Sequence, residues 1–192
     1  MNFARTPLAS PALAISALAV ETGPSLQVRA VELQRVLDTP VYLLHYDLSG
    51  ERLSRMADAR DGTLLPPLDR TQASEIARRD YLADEAVSAV EYLETVPPGD
   101  EYRGGPLPAW RVTFDGPDRH SVYVVAETGR VSARRDDGWR LFDLFWMLHI
   151  LDFESRDNFN TLLLQVLAAL AIITVASGFL LWAMTTSLLR SR

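Results

Sequence analysis

The sequence predicts an α+β fold, made of a helix-plus-antiparallel-sheet unit written twice and followed by an interfacial helix and one C-terminal transmembrane helix. Three observations predict it. Thr161 to Leu189 (TLLLQVLAALAIITVASGFLLWAMTTSLL) carries no charged side chain, and at about 1.5 Å per residue such a helix runs well past a hydrocarbon layer of about 30 Å. Short stretches of alternating apolar and polar residues, bounded by turn signals, fill the middle of the chain. Finally, Ala57-Asp58-Ala59-Arg60-Asp61-Gly62 reads as the same hairpin end as Val124-Val125-Ala126-Glu127-Thr128-Gly129. Each closes on glycine roughly twenty residues after an aromatic-bearing strand, Tyr42 in one case and Trp110 in the other.

Taken in order, Leu8 to Val20 is Ala-rich and apolar. Its Ala17-Leu18-Ala19 has the shape of a signal-peptidase site, but Arg5 is a meagre n-region and Pro11 interrupts the apolar run. We read it as an amphipathic helix opening the domain, with Ser10 as N-cap and Pro11 at the first helical position. Strands are expected over Leu26–Leu37, Val41–Asp47 and Glu51–Asp58, the last two joined by a Ser49-Gly50 turn. In the second strand Val41, Leu43 and His45 face one way and Tyr42, Leu44 and Tyr46 the other. Pro66-Pro67 stops this run, and Asp69 caps a helix over Arg70–Leu82 whose Ala73, Ile76, Ala77 and Tyr81 share a face. Strands return at Ala86–Thr95, Trp110–Asp115 and Ser121–Ala126, giving each unit one helix and three strands. Between the first two, Pro97 to Pro108 is Gly/Pro-rich and reads as a mobile flap or a long hairpin tip. Gly62 and Gly129 serve the turns that need positive φ, and the Asp61 or Thr128 before them can bond the turn backbone.

Composition narrows the chemistry. The 192 residues carry a formal charge of −6, every basic residue is Arg, and there is no Cys. No cationic stripe is available for nucleic acid, and thiol catalysis, iron–sulfur ligation and disulfides are excluded. The three histidines, His45, His120 and His149, fall in no metal-binding spacing. His149 is the one candidate for a cofactor, since an imidazole at membrane depth can ligate haem. Asp58, Asp61 and Glu127 sit in turns and read as backbone caps rather than general acids. Gly104-Gly105 lacks the strand–turn–helix context of a phosphate loop. We therefore expect no catalytic residue, no metal and no cofactor.

Trp139 to Phe153 interleaves Trp139, Phe142, Phe145 and Trp146 with aliphatic residues, as at a membrane interface. A short interfacial helix is expected there, the alternative being a core helix packed under the soluble sheet, then a polar turn at Ser155–Asn158, with Asp157 capping the span. Within the span, Ala171, Thr174 and Gly178 recur at i, i+3 and i+7 and form a narrow face where a partner helix can approach. Gln165 can bond across that interface or reach the headgroups.

A helix followed by strands and then the V-x-A-x-T-G-R-V turn at Val124 to Val131 resembles the PepSY domain, found in propeptides of secreted metallopeptidases and in bacterial membrane proteins. The W-R-x-F-D-x-x-W-x-L-H-x-x-D-F stretch before the span resembles the family's membrane-anchored branch. The chain departs from the family pattern at Val125, where Asp is usual, and at Asp61, where Thr is usual. On this resemblance residues 1–68 are a degenerate first unit, 69–138 a second, 139–158 the interfacial segment, 159–189 the transmembrane helix and 190–192 a tail.

The resemblance implies a non-enzymatic, membrane-anchored interaction module. Its expected partners are membrane lipid, a partner helix, and a partner protein such as an extracytoplasmic peptidase that it binds or inhibits. The alternative it implies is an accessory subunit of a membrane redox or iron-reduction system. Glu154, Arg156 and Asp157 precede the span, and Arg190 and Arg192 follow it, so the domain is expected outside and the C-terminus inside the inner membrane. That orientation needs an export signal: either the span is a C-terminal anchor with the domain left in the cytoplasm, or Met1 lies downstream of the natural start behind a further N-terminal helix, and of the two we expect the second.

Overall fold

The computed structural model describes residues 7–81 and 84–190, in two compact units, one of residues up to 97 with 101–138 and the other of 98–100 with 139 onward. Met1, Arg5, the expected helix end Leu82, and Arg192 of the tail lie outside the described residues. The architecture is α+β with two antiparallel sheets.

In the first unit, Ser10 caps α1 (Pro11–Thr22) by accepting from the Ala12 N–H at 3.3 Å. Then β1 (Gln27–Val36), β2 (Thr39–Leu48) and β3 (Glu51–Asp58) form a meander. Asp69 opens α2 (Arg70–Tyr81) with a reciprocal cap. Its carboxylate accepts from the Gln72 N–H at 2.8 Å, and the Gln72 side chain accepts from the Asp69 N–H at 3.1 Å. The second sheet follows as β4 (Val87–Leu93), β5 (Ala109–Phe114), β6 (Ser121–Val125) and β7 (Val131–Arg135), in that spatial order.

The two halves share a set of equivalent hydrogen bonds. Gly62 N–H donates to Asp58 C=O at 2.8 Å and Gly129 N–H to Val125 C=O at 2.9 Å, with φ of +82° and +68°. The N–H groups of Asp58 and Val125 donate to Thr63 and Arg130, and those of Ala59 and Ala126 to Pro40 and Pro108. Before each helix one residue is clamped twice. Ala9 and Leu68 donate N–H to Ala59 and Ala126, and their carbonyls accept from the Tyr42 hydroxyl at 2.6 Å and the Trp110 indole at 2.8 Å. Even the bulges correspond: Arg29 is the extra residue opposite Tyr46/His45, as Ser88 is opposite Phe114/Thr113.

One expectation needs correction, because the second repeat has a fourth strand. β7 pairs with β6 from Val124↔Val131, whereas the same place in the first repeat holds only the bridge Ala57↔Leu64. Pro66-Pro67 follow at once, and residues without N–H groups cannot extend a ladder.

The alternation of β2 puts apolar side chains on both its faces. Tyr42, Leu44 and Tyr46 join Ala14 and Leu18 of α1 in one core. Val41 and Leu43 join Met56, the α2 residues Ala73 and Ala77, and Val112, Phe114, Val122 and Val124 of the second sheet in another. The opposite face of that second sheet is covered by the Tyr102 end of the hairpin loop before β5. Tyr102 is buried there, stacked on Tyr123 with centroids 4.5 Å apart, and its hydroxyl bonds Pro106 C=O at 2.8 Å and Ser132 at 2.6 Å.

α3 (Asp137–Ile150) leads into the second unit, which ends in α4 (Leu162–Arg190). Within Leu162–Thr186 the mean hydropathy reaches 2.3 over 18 residues, none of them buried, so α4 is long and apolar enough to cross a membrane. Its cap is Thr161, whose hydroxyl accepts from the Leu164 N–H at 3.2 Å. Asp157, the expected cap, is not used in that way. Its N–H is bound to Asp152 at 3.0 Å, which keeps it in the preceding loop.

Candidate functional site

Within the first unit a cavity of about 200 Å³ lies where the two repeats meet, lined by Val36, Val41, Met56, Leu65 and Leu68 together with Asp58 and Arg60. Asp58 is buried, and its carboxylate accepts from the backbone and guanidinium of Arg60. The Arg60 guanidinium holds Asp58 below the usual carboxylate range. Asp61 accepts from the Thr63 N–H at 2.8 Å, and Thr128 holds the Arg130 N–H in the matching place. The Asp58 and Asp61 carboxylates thus close turns. Burial raises the Glu127 carboxyl, against the opposing charge of Arg55.

Polar contacts flank the apolar core that the two repeats share. Gln34 donates to Thr128 C=O at 2.7 Å, Arg130 pairs with Glu32, and Arg79 pairs with Asp38 at 2.9 Å. Gly62 abuts α1, where a Cβ would lie 2.8 Å from Leu13 Cβ. One at Gly129 would lie 3.1 Å from the Val36 methyls.

The histidines stay apart in role. His45 bonds Ser54 through Nδ1 at 2.9 Å, His120 stacks on Tyr81 with centroids 4.0 Å apart, and His149 is exposed on α3 beside Trp146. Among the described residues no three His, Asp or Glu side chains gather as a metal site.

In the second unit the loop after α3 is built on two carboxylates whose roles sequence reasoning missed. Asp143 is buried and paired with Arg156 at 2.6 Å. Asp152 is buried and accepts from the N–H groups of Glu154, Ser155, Asp157 and Asn158 and from the Ser155 hydroxyl. The Ser155 hydroxyl first, and then the Asn158 N–H, hold its pKa far below the usual value. A carboxyl depressed on folding contributes stability above its unfolded pKa of about 4 and loses it as pH falls through the folded value. The loop should therefore stay ordered in mild acid and loosen only in strong acid. Asp152→Ala should speed amide exchange at Glu154, Ser155, Asp157 and Asn158 at neutral pH, read by hydrogen–deuterium exchange. Unchanged exchange at those amides would remove Asp152 from this role.

Along α4, Ala171, Thr174 and Gly178 lie on one face. The Thr174 hydroxyl donates to Leu170 C=O at 2.9 Å, and nothing lies within 4 Å of a Cβ added at Gly178. Gln165 bonds Asn160 at 2.7 Å, at the helix start.

The fold and these sites define a duplicated α+β domain that carries a helix able to cross a membrane. No protein-family model matches the chain, and no curated protein matches it. Among solved structures, a candidate lipoprotein from Clostridium difficile 630 aligns with 70% of this chain and 98% of its own at 14% identity, with a TM-score of 0.28. A likeness of that size carries no functional argument.

Proposed function

We propose that this chain is a membrane-anchored, non-catalytic interaction module of PepSY type, whose domain stands outside the inner membrane and takes up an extended segment of a partner, an extracytoplasmic peptidase. The observation that carries it is the unequal guarding of two equivalent sheet edges. β1 and β4 are the outer strands of their sheets, and the bulge residue of β1 is Arg29, ion-paired with Asp47 at 2.6 Å. A charged bulge protects an edge from strand addition. β4 carries the Glu91–Arg111 pair farther along but has Ser88 at the bulge, its hydroxyl turned to Thr113 C=O, and presents exposed Tyr92 beside Trp110. A peptide pairing with β4 would use main-chain hydrogen bonds and need no catalytic group. The nearly balanced flank of Glu154, Arg156 and Asp157 before the span and the arginines Arg190 and Arg192 after it favour a cytoplasmic C-terminus.

A photo-crosslinking residue placed at Tyr92 in native membranes should capture a peptidase, and the purified chain should inhibit that enzyme. A Soret band in the purified chain that disappears in His149→Ala, with no peptidase adduct, would overturn this reading in favour of a redox subunit.

The Ala171, Thr174 and Gly178 face is assigned to a neighbouring helix. Gly178→Leu should weaken partner recovery in detergent, while Leu180→Ile should leave it intact, because only the first fills the close-approach face. Equal recovery of both variants would end that assignment.

A further inference from the structure

We infer that α3 is a second lipid contact, lying along the boundary between headgroups and acyl chains of the bilayer that α4 crosses; this rests on the reading of α4 as a membrane span. At helical spacing Asp143, Trp146, Met147 and Ile150 form a buried or half-buried face, while Leu141, Leu144, Phe145 and Leu148, with Phe142 and His149 beside them, form an exposed one. Phe142 and Phe145 are 62% and 61% exposed. Phe153 and Phe159, both exposed, carry the patch along the loop that leads to α4. A water-facing surface seldom holds so many adjacent large apolar groups.

The two buried carboxylates of this stretch are turned away from the exposed apolar face. A carboxylate brought into the interface would be costly unless paired. Asp143 is turned inward onto Arg156, and Asp152 is saturated by N–H groups of its own loop. Trp146 meets Phe159 edge-on with centroids 5.8 Å apart, holding the end of α3 against the approach to α4. The occupant is lipid rather than a second copy because the patch runs on toward a helix apolar enough to be lipid-clad, within one compact unit. Charge sets the kind of lipid. Arg140 and Arg156 are offset by Asp143, Asp152, Glu154 and Asp157, so no basic cluster recruits anionic headgroups and a zwitterionic surface suffices.

The absence of Cys makes the test direct. Single variants Phe145→Cys, Ile172→Cys and Glu51→Cys of the full chain, labelled with an environment-sensitive fluorophore, are placed in phosphatidylcholine vesicles containing brominated lipid. The label at 145 should shift to the blue and be quenched by bromines near the glycerol. At 172 it should be quenched by bromines deep in the acyl chain, and at 51 by neither. A label at 145 behaving like that at 51, while 172 is quenched deeply, overturns the inference and leaves the span standing. Loss of quenching at 172 overturns the span itself. A label at 145 that is blue-shifted but insensitive to bromine, and turns aqueous on dilution with unlabelled lipid, assigns the face to a second copy and overturns the inference. A requirement for anionic lipid overturns the charge argument.

Discussion

Gly62→Val is expected to destabilise the α+β unit by about 3 kcal/mol or more, from a positive φ imposed on a β-branched residue and from overpacking. The turn holds Gly62 at φ +82°, and its N–H is fixed to Asp58 C=O at 2.8 Å, so the backbone cannot rotate away without losing that bond. The new Cβ would also meet the helix itself, 3.0 Å from the Ala14 nitrogen. Gly129→Val meets the same dihedral strain at φ +68° but only the Val36 methyls, side-chain atoms that can shift. Its cost should be smaller, about 1–2 kcal/mol. Denaturant unfolding of the detergent-solubilised chain, followed by tryptophan emission, measures both. Equal losses would mean that contact with α1 does not govern the first turn.

Tyr102→Ala should cost about 3–5 kcal/mol, as for other large buried aromatics. The ring is 1% exposed and stacked on Tyr123, and the hydroxyl bridges Pro106 and Ser132, so removing it opens a cavity and strips two polar partners. Tyr102→Phe keeps the stacking and should cost about 1–2 kcal/mol. Limited proteolysis supplies the second readout, because the Pro97 to Pro108 loop should become cleavable in the alanine variant before the rest of the unit unfolds. A variant of unchanged midpoint and unchanged cleavage would show that this loop is not held by Tyr102.

These two residues mark the limits of reading the sequence. Gly62 and Gly129 were legible because a turn's demand for positive φ is local, and the same holds for the Ser10 and Asp69 caps and for the two-sided strand Thr39–Leu48. Tyr102 was not, because Gly and Pro composition describes the loop's backbone and says nothing of where one aromatic in it packs. β7 was missed for a related reason. Val-Ser-Ala-Arg-Arg has little strand character of its own, and its pairing is supplied by β6. The clamps at Ala9 and Leu68 use main-chain atoms, and their sequence trace is only an aromatic at the matching place in each central strand, Tyr42 and Trp110. Around the span, composition located the helix but misplaced its cap. Asp152 draws the Asp157 N–H into a loop, and the helix begins only after Thr161. The cavity at the seam joins residues from Val36 to Gln72 through tertiary packing, which no periodicity records.

The account as a whole turns on which side of the membrane the domain occupies, since an extracytoplasmic partner is out of reach from the cytoplasm. With no native Cys in the chain, Glu51→Cys places one thiol at the start of β3, beside the β2–β3 turn. The full chain, expressed with its natural upstream reading frame, is treated in intact cells with a maleimide that passes the outer but not the inner membrane. The account predicts labelling at position 51 without lysis, unchanged when the inner membrane is then disrupted; labelling that appears only after disruption would put the domain in the cytoplasm and contradict it.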